Sequence, residues 1–109
     1  MIKQPRVFVT QYSPTWNFSE AEKYGEVVFL TNSEYRPQPC PPEVNGAIES
    51  EIRQRMKEYI PGEDYIALTG SAIPNVIVGQ QLAKNGPHRV LKWSNRKKGY
   101  ELFIINTGR

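Results

Sequence analysis

The chain has 109 residues, 39% of them hydrophobic and 23% charged, with a formal net charge of +3. That length is the usual size of one domain and buries roughly two-thirds of the surface its unfolded form exposes, enough for a core without disulfide or metal staples. The composition is globular, which sets aside intrinsic disorder, and there is no run of about 20 apolar residues to cross a membrane.

Arg6-Val7-Phe8-Val9-Thr10 is a short β-rich run and reads as a strand. Ser13 to Asn17 breaks it with turn-forming residues. Ser19-Glu20-Ala21-Glu22 fits a capping box, in which the serine hydroxyl and Glu22 satisfy each other's backbone N–H groups, so Ser19–Tyr24 reads as a helical turn or two closed by Gly25. Glu26 to Thr31 is a nearly continuous apolar run, the pattern of a strand covered on both faces. Asn32 to Pro42 is polar and proline-rich, hence an irregular loop. From Glu43 to Tyr59, Val44, Ile48, Ile52 and Met56 recur every fourth residue, with Ala47 and Tyr59 on the same side and Glu49, Arg53 and Lys57 opposite. That is an amphipathic helix with one buried stripe, stopped by Pro61-Gly62.

Tyr65 to Thr69 is the next strand. Ser71 is a good N-cap for a helix over 72–85, in which Ile73, Val76, Ile77, Val78, Leu82 and Ala83 surround most of the axis. This helix is therefore expected to be more buried than the first, and Asn85-Gly86-Pro87 ends it. Arg89 to Trp93 is a strand, Ser94 to Gly99 a hairpin loop, and Tyr100 to Ile105 the returning strand. The order β, short helix, β, α, β, α, β, β predicts one α/β domain over 1–109, two- or three-layered, with a small mostly parallel sheet, a βαβαβ core and a C-terminal antiparallel hairpin strand. Three parallel strands are expected at the core, at 26–31, 65–69 and 89–93, with the strand order left open.

Val7-Phe8-Val9-x-Gln11, Tyr24-Gly25, Asp64-Tyr65, Gly70, and Leu91-Lys92-Trp93 ahead of Tyr100 occur in an order that resembles small uncharacterised α/β proteins encoded by tailed bacteriophages. The resemblance covers most of the chain and implies a phage origin and one shared domain. It carries no function. The chain departs from it at Ser71, where the resemblance leads one to expect an acidic residue.

Charge is unevenly placed. From His88 onward six basic residues face Glu101 alone, giving +5, whereas the first 87 residues carry −2. Lys92, Arg96, Lys97 and Lys98 lie beside Trp93 and Tyr100, a mixture of cations that attract phosphates and rings that stack on bases. The same lysines also suit a hairpin tip or a protected sheet edge. A second candidate is Gly70-Ser71-Ala72, where a strand, a glycine and a helix N-terminus gather free N–H groups and a positive dipole end fit for an anion. Such a turn also belongs to every βα unit, and no glycine-rich phosphate-binding motif is present.

Catalytic material is sparse. His88 is the one histidine and Cys40 the one cysteine. Together they fall short of the ligands zinc requires. Cys40 sits among prolines with no activating partner in sequence, which suits a loop thiol in a reducing cytoplasm. Glu63-Asp64 reads as turn chemistry, and Glu49, Glu51 and Glu58 as a solvated face. Met1 to Pro5 lacks a signal-peptide layout, so the host cytoplasm is the expected location for a phage-encoded chain. No cofactor, metal or membrane is expected, and the oligomeric state stays open. Three functions remain: non-enzymatic binding of a host or phage protein, sequence-tolerant nucleic-acid binding through the basic hairpin, and anion or nucleotide binding at Gly70-Ser71. Protein binding comes first because the chain has no established nucleic-acid-binding motif.

Overall fold

A computed structural model describes residues 4–83 and 86–106. Its elements run β1 (Arg6–Val9), a 3-10 turn (Ala21–Lys23), β2 (Glu26–Phe29), α1 (Pro42–Met56), β3 (Tyr65–Ala67), α2 (Ala72–Gln81), β4 (His88–Ser94) and β5 (Gly99–Ile105). The strands form one sheet in the order β2-β1-β3-β4-β5. β1 pairs in parallel with β2 and β3, β3 pairs in parallel with β4, and β5 returns antiparallel to β4 with Trp93 opposite Tyr100.

The expected fold class is present, with one change in its centre. Sequence pattern placed three parallel strands at the core, but β1 is a fourth and lies between β2 and β3, with Val7, Phe8 and Val9 at most 1% exposed. β2 is an edge strand despite its apolar run. Its side chains still meet a layer on each face: Val28 packs with the helices, and Val27 and Phe29 pack on the opposite side. The run reported coverage of faces, which is independent of position in the sheet.

Crossover handedness accounts for the layers. The chain steps one way from β1 to β2, then the other way from β2 through β3 to β4. Right-handed connections must then lie on opposite faces. Accordingly, α1 and α2 cover Phe8, Ile66 and Val90 on one face, while Ala21 of the 3-10 turn, with Phe18 and Tyr24, covers Val7, Val9 and Leu91 on the other. Reversal of direction puts a topological switch point between β1 and β3, where their carboxyl ends diverge.

Local chemistry departs from expectation at several points. α1 buries Ile48, Ile52 and Met56 as predicted, but Ala47 is exposed and Asn45 is buried in its place. The Asn45 amide accepts from Arg36 N–H and donates to Arg36 C=O, both at 2.8 Å, so it clamps the proline-rich loop to the helix. α2 is more open than its composition suggested, with Ile73 47% and Val76 59% exposed. Only one sheet and one neighbouring helix pack on it, so its remaining side faces solvent. The helix ends at Gln81, ahead of the expected terminator, and Asn85 lies outside the described residues. The capping box does not form: Ser19 N–H bonds the Asn17 carboxamide at 2.9 Å, and the turn tightens to 3-10. Gly25 serves a close approach, because a Cβ there would sit 2.2 Å from the Pro5 carbonyl oxygen.

The amino end of the sheet is closed by Asp64, 1% exposed. Its carboxylate accepts from Arg6 N–H at 3.0 Å and Ile60 N–H at 2.9 Å, tying β1 to the turn before β3. Arg6 also reaches Glu58 at 3.1 Å.

Candidate functional site

The carboxyl ends of β1, β2 and β3 carry polar residues in a fixed pattern. Thr10 and Thr69 share a hydroxyl hydrogen bond of 3.0 Å across the switch point. The Asn75 amide donates to Thr69 C=O at 2.9 Å, and Gln11 donates to Ser33 C=O at 3.0 Å. Two clefts open above this layer, and Trp16 lines both. The first, about 370 Å³, lies among Gln11, Tyr12, Asn32, Tyr35, Ser71 and Ala72. The second, about 410 Å³, is walled by Trp16, Phe18, Trp93 and Tyr100 over a floor of Leu68, Thr69 and Gly70.

The Gly70-Ser71-Ala72 candidate is thereby divided. Gly70 faces the aromatic cleft, while Ser71 and Ala72 line the polar one. Ser71 caps α2 through its backbone position only, since its hydroxyl makes no capping bond. A Cβ at Gly70 would approach Trp16 no closer than 3.8 Å, so no steric demand fixes glycine there.

The hairpin candidates are divided as well. Side chains alternate across a strand. Trp93 therefore shares the side of buried Leu91, away from the helices, and its ring meets Tyr100 edge-on at 5.3 Å. Burial raises the Tyr100 phenol above its ordinary value. The Trp93 indole N–H donates to Asn95 at 3.0 Å. Lys92, by the same alternation, points to the helix-bearing side with its partner Glu101, which pairs with Lys97 at 3.2 Å. Arg96 and Lys98, both exposed in the connecting turn, have no ion-pair partner among the described residues.

Other ionisable groups are engaged in packing. His88 is fully buried, with Nε2 bonded to Leu82 C=O at 3.0 Å and Nδ1 to the Tyr59 hydroxyl at 2.7 Å. A neutral ring with its proton on Nε2 satisfies both, and burial lowers its pKa. Burial also pushes the Tyr59 phenol up to about 12. Arg89 lies over the Tyr65 ring, 3.9 Å from its centroid, and bonds Glu63 C=O. Glu49 accepts from Tyr35, and Glu51 pairs with Arg55 at 3.5 Å. Cys40 is partly buried, its thiol 3.3 Å from Pro41 C=O.

Sequence reasoning missed two features. The sequence pattern puts Trp16 in a turn and assigns Phe18 to no element, yet both wall the aromatic cleft. β5 was read as a returning strand only, yet four consecutive side chains are exposed: Leu102 47%, Phe103 46%, Ile104 57% and Ile105 39%. Their alternation puts Leu102 and Ile104 on one face and Phe103 and Ile105 on the other. Among the described residues no strand lies beyond β5. A run apolar at both parities, placed last after a hairpin, was the available signal.

The chain matches the family model for Phage Pam3 gp32-like protein over residues 5–107, and it belongs to that family of small phage proteins. Comparison with curated proteins and with solved structures gives no significant match. No helix among the described residues is long and apolar enough to cross a membrane.

Proposed function

We propose that this phage-family protein works without turnover, by binding a host or phage protein along β5 in the host cytoplasm. The carrying observation is a seven-residue edge strand with exposed apolar side chains on both faces. Edge strands in water are ordinarily short, charged or covered, because their unpaired N–H and C=O groups recruit other strands. From Leu102 to Ile105, β5 carries no charged residue, and no strand or helix covers its outer edge among the described residues. An added strand would satisfy its outer backbone groups and cover apolar side chains above and below the sheet, the mode of β-augmentation.

The test is affinity capture from phage-infected lysate treated with nuclease, using wild type, Phe103→Lys, Ile104→Lys and the α1 surface control Arg53→Ala. Wild type and Arg53→Ala should retain one discrete protein, and the β5 variants should lose at least about 90% of it, a tenfold or greater weakening. Equal retention by all four, or loss of the captured protein on nuclease treatment, refutes the reading.

A further inference from the structure

We propose that the cleft between Trp16 and Trp93 is a binding site for a single nucleobase carrying phosphate, either as a free nucleotide or as one residue of an unpaired strand. The inference is independent of the β5 reading, since it rests on the end of β4, on Tyr100 at the start of β5 and on the 12–18 loop, and not on the apolar run from Leu102 to Ile105.

Three observations converge there. The first is shape and lining. At about 410 Å³ the cleft falls in the range of small-ligand sites, with aromatic walls and a few polar groups (Thr69, Asn17 and the Gly70 backbone) at its margin. The second is the state of the rings. Trp16 and Trp93 are 39% and 38% exposed, although large aromatic side chains gain from burial. Each is braced by a neighbouring ring rather than buried: Trp16 meets Phe18 edge-on at 6.3 Å, and Trp93 meets Tyr100 at 5.3 Å. Rings fixed in this way with their surfaces turned to a cleft can stack on a flat guest without first being ordered.

The third observation is charge. The turn that joins the Trp93 and Tyr100 positions carries Arg96 and Lys98, both exposed and without an ion-pair partner among the described residues. Glu20, whose carboxylate would lie 3.6 Å from a Cβ at Gly99 of the same turn, is already paired with Lys23 at 2.9 Å. A proline-rich peptide would also fit an aromatic groove, but it would leave those cations unused. A phosphate on a base stacked between the rings would have these cations available on the turn that joins Trp93 to Tyr100. The division of the hairpin fits this scale: Lys92 and Lys97 face the other side of the sheet, so the surface offers two free cations and one aromatic slot, suited to one nucleotide rather than to a tracked duplex.

The chain's two tryptophans are Trp16 and Trp93, so intrinsic tryptophan fluorescence reports on this cleft, and because Trp16 also borders the polar cleft the amide shifts of Asn17, Thr69 and Gly70 assign the site. Full-length protein is titrated with thymidine, thymidine 5′-monophosphate, a ten-residue oligothymidylate and a proline-rich decapeptide, with amide shifts of Asn17, Thr69 and Gly70 followed in parallel. The monophosphate and the oligonucleotide should quench saturably and move those amides. Trp93→Ala should weaken binding about 5- to 150-fold, the equivalent of roughly 1–3 kcal/mol per stacked base. The double change Arg96→Ala with Lys98→Ala should weaken the monophosphate and leave thymidine unaffected. Oligonucleotide binding far tighter than the monophosphate identifies a strand as the source, and equal affinity identifies the free nucleotide. The proposal fails if neither ligand quenches at millimolar concentration. It also fails if the peptide alone moves the cleft amides, or if quenching by Trp16 in Trp93→Ala is as strong and as tight as in wild type.

Discussion

Replacing Asp64 by alanine should destabilise the protein by about 4 kcal/mol. The carboxylate is 1% exposed and receives two backbone N–H groups, from Arg6 at 3.0 Å and Ile60 at 2.9 Å. Hydrogen bonds to a charged group contribute about 1.5–3 kcal/mol each, so two give ~3–6 kcal/mol. Alanine also leaves the Arg6 guanidinium, 3.6 Å from the carboxylate, with the exposed Glu58 side chain as its remaining acidic partner among the described residues. Asp64→Asn should cost about 2 kcal/mol, because its one carbonyl oxygen can serve one N–H while the NH₂ group opposes the other. Urea denaturation measures both. For a domain of this size the alanine variant should also melt roughly 15–30 °C lower. An Asp64→Ala protein within about 1 kcal/mol of wild type would refute the view that this residue closes the amino end of the sheet.

Stability should be flat just above pH ~6.5 and fall as pH drops below it, by up to ~1.4 kcal/mol per pH unit, because the unfolded histidine takes a proton that buried His88 resists. His88→Gln should flatten that fall in a pH series of denaturation midpoints, and an unchanged slope would count against the neutral-ring assignment. Gly25→Ala should cost about 3 kcal/mol by the same measurement, since its Cβ would meet the Pro5 backbone at 2.2 Å and neither side can yield cheaply.

Periodicity made the elements legible. Ile48, Ile52 and Met56 lie every fourth residue and are buried, and each predicted strand is present with ends shifted by a residue or two. Sheet order was not legible, because an apolar run records whether a strand's two faces are covered and says nothing about its neighbours. β2 shows the difference: it has two covered faces and an open edge. The error on α2 has a related cause. Ile73 and Val76 belong to an apolar helix, but only tertiary packing decides how much of its circumference meets another layer. Asn45 is the converse, a polar residue buried because a distant loop needs a clamp with one donor and one acceptor.

The candidate sites were legible as residue types, and the structure divides their members between faces and clefts. Chain proximity joined Lys92 to Trp93, but strand alternation sends them to opposite faces; it joined Gly70 to Ser71, but they line different clefts. What brings Trp16 beside Trp93 is the return of the 12–18 loop over the sheet face that the helices leave free, itself a consequence of the reversal at β1. That reversal also separates two kinds of residue. At the amino end, Arg6, Asp64, His88 and Arg89 are committed to one another, to backbone groups or to rings. At the carboxyl end and along β5, two half-exposed tryptophan rings and the apolar run from Leu102 to Ile105 remain turned to solvent. Substitutions at Asp64 and Gly25 should therefore change stability while leaving ligand affinity intact wherever the fold persists, and those at Trp93 and Ile104 should do the reverse. Distant sites with no shared partner act additively, so a double variant such as Asp64→Asn with Trp93→Ala should show the sum of the two single effects within about 0.5 kcal/mol. A larger coupling would mean that the sheet transmits strain between its ends, and the separation of structural from binding residues would have to be abandoned.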